Sequence, residues 1–487
     1  MTVASWLAFL VPALVTYLTV RHLSRGRDHT LTRAVAAAIA PGLGLGFASC
    51  WYFFLLLVTR TRTQALAGDA SLWLAASAAL AVLHWRDRRA TRSQNPSRDP
   101  QTRPIRAVPI DTVVAAAGAV GVAVLAGSAL WLHSRAMPHG EWDAWAIWNL
   151  RARALLVRPA DWATILSPEI AWSNPDYPLL VPLSVARLWA WTGDADTIVP
   201  GIVAMTFVAS TAAGVVTMVG STRGWAAGLL SGAVLLVPRT YVFQGSSQCA
   251  DVPLAFYMSL AVACVVVNHQ LKETDHWIVV AIAGAAGGLA AWTKNEGAVL
   301  LVAVAVFLCT WRKESRLKAW LSFAGGAAVP VAAWLWFKLF LSPPNDQFTP
   351  GALEGLTARF MDSSRWSMIV DRLTTMIPDW GGVTGGALLM LAIVVVLTYG
   401  ADRRSILRGA YALTIVAAMM AGYIFAYAIT WKPLAWHIDT SFHRLMTQVW
   451  PTLVWAAFQL SGRETVSQSV PDLKALTRPE RPTRSPA

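Results

Sequence analysis

The chain has 487 residues, of which 55% are apolar and 14% charged, a balance too apolar for a soluble globular protein of this length. Its formal charge of +13 would suit a nucleic-acid binder, but the basic residues cluster between apolar runs, where they read as cytoplasmic retention charges, so no nucleic-acid partner is expected. Of the four cysteines, Cys50, Cys264 and Cys309 fall inside apolar runs and Cys249 stands alone in a loop, which excludes a disulfide framework or a zinc spacing.

Apolar runs approaching the ~20 residues of a bilayer crossing recur from end to end. Backbone polar groups in hydrocarbon need partners within their own segment, and the alternating ten-residue pattern of barrel strands is not seen. The chain is therefore predicted to be an all-α polytopic membrane protein. The runs lie at 4–20, 34–58, 70–85, 110–132, 197–219, 225–238, 252–268, 278–292, 297–310, 321–341, 386–399, 409–430 and 445–460, thirteen in all. The first has no basic residue before it and no clear small-residue cleavage site, so it reads as a retained helix. Three N-terminal helices (1–85) lead into a basic linker, 86–109, with Arg86, Arg88, Arg89, Arg92, Arg98, Arg103 and Arg106. A membrane module spans 110–341 and contains a long loop at 133–196; a loop at 342–385, further helices at 386–461 and a Pro/Arg-rich tail at 462–487, predicted to be disordered, complete the chain. No internal repeat is present.

With the linker cytoplasmic, strict alternation puts the other basic loops (Arg21 to Arg33, Arg312 to Lys318, Arg403 to Arg408 and the tail with Arg463) on the same side. The N-terminus is then outside and the C-terminus cytoplasmic. The same parity assigns 59–69, 133–196, 239–251, 293–296, 342–385 and 431–444 to the outer face. Pro178 to Thr192 is apolar enough to cross, but an extra crossing would break the agreement between parity and charge. An interfacial helix is predicted there, with Trp189 and Trp191 at headgroup level and Arg187 facing water. Most of the 25 tryptophans read as aromatic belts.

Five polar segments share the predicted outer face. After the fourth run comes His139-Gly-Glu141-Trp-Asp143-Ala-Trp145-Ala-Ile-Trp148-Asn149, two acids followed by a helix whose Trp145, Trp148 and Asn149 can wall a site; capping of that helix is the plainer role for the acids. Asn174-Pro-Asp176-Tyr177-Pro178 can be a site element or a helix start. Arg239 to Asp251, with Gln244 and Gln248, can equally be loop polarity with an N-cap. Trp292-Thr-Lys294-Asn295-Glu296-Gly297 is more telling, because it breaks about thirty otherwise apolar residues. A Lys and a Glu at a membrane boundary usually face a bundle interior or an aqueous cavity, the alternative being a tight turn with a snorkelling Lys. Trp436-His437-Ile-Asp439-Thr-Ser-Phe-His443-Arg444 is the fifth, either a site element or a capped helix start. A lipid phosphate needs interfacial cations, a sugar needs aromatic faces and carboxylates, and an acceptor hydroxyl needs a base.

Glu141-Trp-Asp143-Ala-Trp145, Asp176-Tyr177-Pro178, Asp251 and Lys294-Asn295-Glu296-Gly297, with the large loop at 342–385, give the chain a resemblance to GT-C-type membrane glycosyltransferases. That superfamily includes protein O-mannosyltransferases and aminoarabinose transferases, and the likeness is to an uncharacterised bacterial branch covering roughly 110–341. It implies a GT-C-like catalytic module in the cytoplasmic membrane, acting on the outer face on a polyprenyl-phosphate sugar and an acceptor lipid, glycan or protein. An acid of the first large loop would be the base, Asp143 or alternatively Glu141. Lys294, with Arg444 or Arg239, would hold the donor phosphate. Trp145, Asn149, Asp176, Tyr177, Gln248, Asp251, Asn295, Glu296 and His443 would line the sugar and acceptor sites. The leaving phosphate would be stabilised by these cations without a cofactor, although Asp143 with Asp251 could hold a divalent metal. The three helices before residue 110 are additional to the simplest form of that fold, and no large C-terminal soluble domain is evident. Two alternatives remain: a transporter or flippase with Lys294 and Glu296 as an intramembrane ion site, and a lipid-linked glycan polymerase or ligase.

The parity argument yields a direct test: a reporter fused after Gly140 should be extracytoplasmic and one fused after Asn95 cytoplasmic. Finding both on one side would remove the shared face of the five segments.

Overall fold

The computed structural model describes residues 2–24, 32–94, 108–269, 277–310, 313–382, 391 and 403–460. Among these residues every regular element is a helix. In chain order they are α1 (Val3–Leu23), α2 (Arg33–Val58), α3 (Arg62–Gln94), α4 (Ile110–Ala136), α5 (Asn149–Val157), α6 (Leu180–Thr192), α7 (Ile198–Arg223), α8 (Trp225–Leu236), α9 (Arg239–Ser246), α10 (Asp251–His269), α11 (Trp277–Thr293), α12 (Glu296–Leu308), α13 (Lys313–Phe340), α14 (Pro350–Leu353), α15 (Leu356–Met361), α16 (Ser363–Asp379), α17 (Arg403–Ile429) and α18 (Leu434–Leu460).

Eight of the described helices contain a stretch long and apolar enough to cross a membrane: α1, α2, α3, α4, α7, α10, α13 and α17. The pair α8 and α9, bent by 75°, makes a ninth if taken as one span. The architecture fits a polytopic membrane protein. At 17 and 13 residues, α11 and α12 fall short of the ~20 residues needed for the hydrocarbon core. The apolar run 445–460 is the second half of α18, whose first half carries His437, Asp439, His443 and Arg444. The run 386–399, most of the linker and the tail lie outside the described residues, apart from Leu391 and the start of the linker. That linker start is helical, because α3 continues through its arginines to Gln94; arginine and alanine sustain a helix once an apolar stretch has launched it.

Burial differs sharply between helices. In α10 every residue from Asp251 to Val267 is buried, as expected of a helix apolar on all sides, whereas α4 buries only Ala126 and Leu130. Glycines let α11 and α13 approach backbone to backbone: a Cβ at Gly284 would lie 2.0 Å from the Phe323 carbonyl oxygen, and one at Gly326 would lie 1.8 Å from that of Ala281. The return from α11 to α12 is as tight, since a Cβ at Gly297 would fall 1.9 Å from the Ala290 oxygen.

The segment 178–192 corrects one expectation. Its helix α6 is not a half-submerged surface element: eleven of its residues, Leu180 to Ala190, are buried against the neighbouring helices. Arg187 does not face water but is 1% exposed. Its Nε and Nη2 each donate to Asp69 of α3 at 2.9 Å, and its Nη1 donates to the Ala8 carbonyl of α1 at 2.7 Å. The indole N–H groups of Trp73 and Trp191 also donate to Asp69, at 3.1 and 2.8 Å. Trp191 thus serves this pair, and Trp189 is buried and donates to the Asp196 carbonyl. A buried ion pair is tolerable when its lone pairs and protons are matched in this way, and here it latches α1 and α3 to α6.

Arg187→Met alone should therefore lower stability by about 3–5 kcal/mol, since it strands a buried carboxylate. Adding Asp69→Leu should restore much of the loss in thermal unfolding of the detergent-solubilised protein, and an equal loss in the double variant would contradict the latch.

Candidate functional site

The polar centre of the bundle lies at the N-terminal end of α10, where α11 ends, α12 begins and α18 has made its first turns. A four-residue loop, Ser247 to Ala250, leads into α10 from the bent helix α9, and every member is buried. Gln248 adopts φ +62° there and donates from Nε2 to the Pro138 carbonyl at 3.2 Å. Irregular backbone of this kind is tolerated inside a membrane protein only when protein or a cavity surrounds it.

Asp251 is fully buried and does not cap its own helix. Its Oδ1 accepts from Lys294 Nζ at 2.9 Å and from Gln448 Nε2 at 2.7 Å, while Oδ2 accepts from Arg444 Nε at 3.0 Å. Lys294 Nζ also lies 3.0 Å from Glu296 Oε1, and Arg444 Nη1 pairs with Asp143 Oδ2. Acidic and basic side chains thus alternate along a row of five: Asp143, Arg444, Asp251, Lys294, Glu296. Burial works against the Lys294 charge, but Asp251 and Glu296 outweigh it and hold its pKa above the ordinary lysine value. The Lys294 ammonium is 3% exposed and its two carboxylates occupy it, so it does not snorkel to water. Tyr423 anchors the group from α17 by donating to Gln448 Oε1 at 2.7 Å.

Two further carboxylates lie nearby. Asp176 accepts from Asn295 Nδ2 and Asn345 Nδ2, both at 2.6 Å, with Lys338 Nζ 3.9 Å away. It joins the 174–178 loop to the turn between α11 and α12 instead of starting a helix. Glu141 points away from Asp143 and meets His133 Nε2 at 3.3 Å.

Between Asp143 and α5 the helix widens into a π-helical turn, Ala144–Trp148, a local form that is rare and frequent at functional sites. Asp143 makes no side-chain cap bond. The widened turn carries Trp148 into the interior, where it is fully buried and stacks on Tyr177 with centroids 5.6 Å apart and planes 4° from parallel. Trp148 therefore does not wall an open site. Trp145 is exposed and packs edge-on to Trp142, so it remains on the accessible rim. Asn149 Nδ2 donates to Gln248 Oε1 at 2.9 Å, tying this helix to the loop before α10. Lys294 Nζ sits 5.7 Å from the Tyr177 ring centroid.

Arg239 and His443 stand apart from the charge network. Arg239 is exposed, and its backbone N–H donates to the Gly381 carbonyl. His443 receives the Trp380 indole N–H on its carbonyl, and its Nδ1 is buried with no partner among the described residues. Arg444 lies between Asp143 and Asp251, where a cation shared by those two acids would sit. Burial pushes the Cys249 thiol up to about 12, although Arg444 opposes the shift, which leaves it a poor nucleophile.

Sequence reasoning passed over Gln448, Tyr423, Lys338 and Asn345. For Gln448 a signal existed: it follows Arg444 by four residues, which places both on one helix face. Next to the network an apolar groove of about 670 Å³ runs between α12 and α17, lined by Ala298, Val302, Val306, Phe307, Ile415 and Ala418. It starts two residues beyond Glu296.

No family model, curated protein or solved structure matches this chain.

The middle of the network and its Asp143 end differ in stability terms. Asp251→Ala should cost about 3–5 kcal/mol, because it takes from the buried Lys294 and the part-exposed Arg444 the carboxylate they share. Asp143→Ala, removing a part-exposed partner, should cost no more than about 1 kcal/mol. Denaturant or thermal unfolding of the purified variants distinguishes them, and equal losses would show that Asp143 belongs to the closed core.

Proposed function

We propose that the chain is a membrane glycosyltransferase of GT-C type that moves one sugar from a polyprenyl-phosphate donor to an acceptor hydroxyl at the extracytoplasmic face. The observation that carries this reading is the alternating network from Asp143 to Glu296, closed at Asp251 and open to solvent at Asp143. Ionised groups are costly in a membrane bundle and are kept there chiefly for substrates, ions or protons. The open end presents a carboxylate beside a guanidinium, which is what transfer from a phosphate needs: a base for the acceptor hydroxyl and a cation for the leaving phosphate.

In this reading Asp143 is the base and Arg444 the phosphate ligand. Lys294 contributes indirectly, by neutralising Asp251 so that Arg444 is not wholly consumed by it. The groove between α12 and α17, apolar and adjacent to Glu296, suits the isoprenoid tail, while Trp142 and Trp145 at the rim offer aromatic faces for a sugar. The saturation of Lys294 by Asp251 and Glu296 favours this over a transporter, whose ion site would have to release one of these partners during each cycle.

Asp143→Asn keeps the side-chain size and removes the basicity, so it should lower sugar transfer by about 10²–10⁴-fold while donor is still bound. The measurement is transfer of a labelled sugar from lipid-linked donor in reconstituted vesicles, with the acceptor identified by mass spectrometry of surface glycans from a strain lacking the chain. Near-normal turnover in Asp143→Asn with loss in Glu141→Gln would move the base to Glu141, and indifference to both would remove the site.

A further inference from the structure

Arg444 is shared by two carboxylates of unlike character. Asp251 is 0% exposed and also binds Lys294 and Gln448, so it cannot leave Arg444 without disturbing the rest of the network. Asp143 is 25% exposed, and Arg444 is the only side-chain partner of its carboxylate among the described residues. Nothing else fixes that carboxylate, because it makes no cap bond and lies where the helix is about to widen. Of the guanidinium nitrogens, Nε is committed to Asp251 and Nη1 to Asp143, while Nη2 has no hydrogen bond to the described residues. The Nη1/Nη2 edge is the edge that a phosphate engages with two parallel bonds, and only Asp143 stands in its way.

We propose that Asp143 is a built-in surrogate for the substrate anion: a phosphate monoester or diester displaces it from Arg444, and the displacement itself releases the carboxylate as the base. This rests on the reading of the site as one for a lipid-linked phosphate. While Arg444 holds it, the carboxylate has fewer lone pairs to offer an acceptor hydroxyl; once displaced, it stands beside the donor that displaced it. Transfer then balances without a co-reactant. The acceptor oxygen bonds to the anomeric carbon as its proton passes to Asp143, and the bond from that carbon to the phosphate oxygen breaks with its electron pair moving to the phosphate. The product phosphate, now a dianion, stays on Arg444. Its departure, with loss of the proton to water, lets Asp143 return.

The exchange is tested by binding alone, with no sugar and no acceptor present. Full-length protein in phosphatidylcholine nanodiscs is titrated with farnesyl phosphate and, separately, with inorganic phosphate. If an ion pair must be broken for the anion to bind, Asp143→Asn should bind farnesyl phosphate about fivefold tighter than the unaltered chain. Glu141→Gln removes the same charge nearby without touching Arg444 and should stay within about twofold. Arg444→Gln should lose the binding. Asp143→Ser serves as a second variant should the asparagine protein unfold. Unchanged or weaker binding in Asp143→Asn, or equal tightening in Glu141→Gln, overturns the exchange, and tightening confined to inorganic phosphate overturns the lipid assignment. Tighter binding in a protein that transfers no sugar would keep the exchange and remove the transferase reading. Loss of transfer in Asp143→Asn with unchanged phosphate affinity would do the reverse.

Discussion

A carboxylate sealed from water at the start of the most deeply buried helix organises this molecule. Asp251 accepts from Lys294, Gln448 and Arg444, and those donors come from the α11–α12 turn and from α18. Without it the buried Lys294 would keep only Glu296, and the part-exposed Arg444 only Asp143, to offset their desolvation. The carboxylate therefore sets where α18 sits against α10 and how the short helices α11 and α12 meet. The close return at Gly297, where no side chain fits, keeps Lys294 and Glu296 next to one another. Asp176 then fixes the same turn from the loop side through Asn295.

The bundle contains a second buried ion pair, and the contrast between the two separates architecture from chemistry. Around Asp69 and Arg187 each carboxylate oxygen and three guanidinium nitrogens find partners, and both side chains are nearly inaccessible. That centre is complete and has nothing left to offer a ligand. The network is equally complete around Asp251 itself, but its end members Asp143 and Glu296 are part-exposed and each pairs with a single cation. Burial alone thus does not mark a functional charge in this chain. What marks it is a gradient, from a member that cannot be exchanged to one that can.

Much of this was legible in the sequence because hydrophobic runs and polar interruptions are local signals. Most of the helices follow from the runs, and Asp143, Asp251, Lys294 and Arg444 all stand in polar segments that interrupt or flank those runs. The pairings were not legible. A lone arginine in an apolar helix looks the same whether it reaches water or a buried acid, and the acid of Arg187 stands 118 residues earlier, at the end of a segment that reads as a loop. Trp148 does not wall a site as the sequence suggests, because composition does not distinguish a site-lining tryptophan from a buried one, and a π-helical turn shifts the face on which its residues fall. Gln448 and Tyr423 escaped notice because neutral polar groups barely perturb an apolar run.

The latch between Asp69 and Arg187 also has a consequence for how the chain is made. Ribosomes deliver α3 long before α6, so the helix carrying Asp69 is inserted while its counterion is still unsynthesised. Until then the carboxylate can be accommodated only near water or by local bilayer distortion, and α3 is held by its apolar stretch alone. Commitment of the N-terminal helices to their final depth is thereby deferred until Arg187 emerges, which makes the late helix a checkpoint for the early ones during biogenesis.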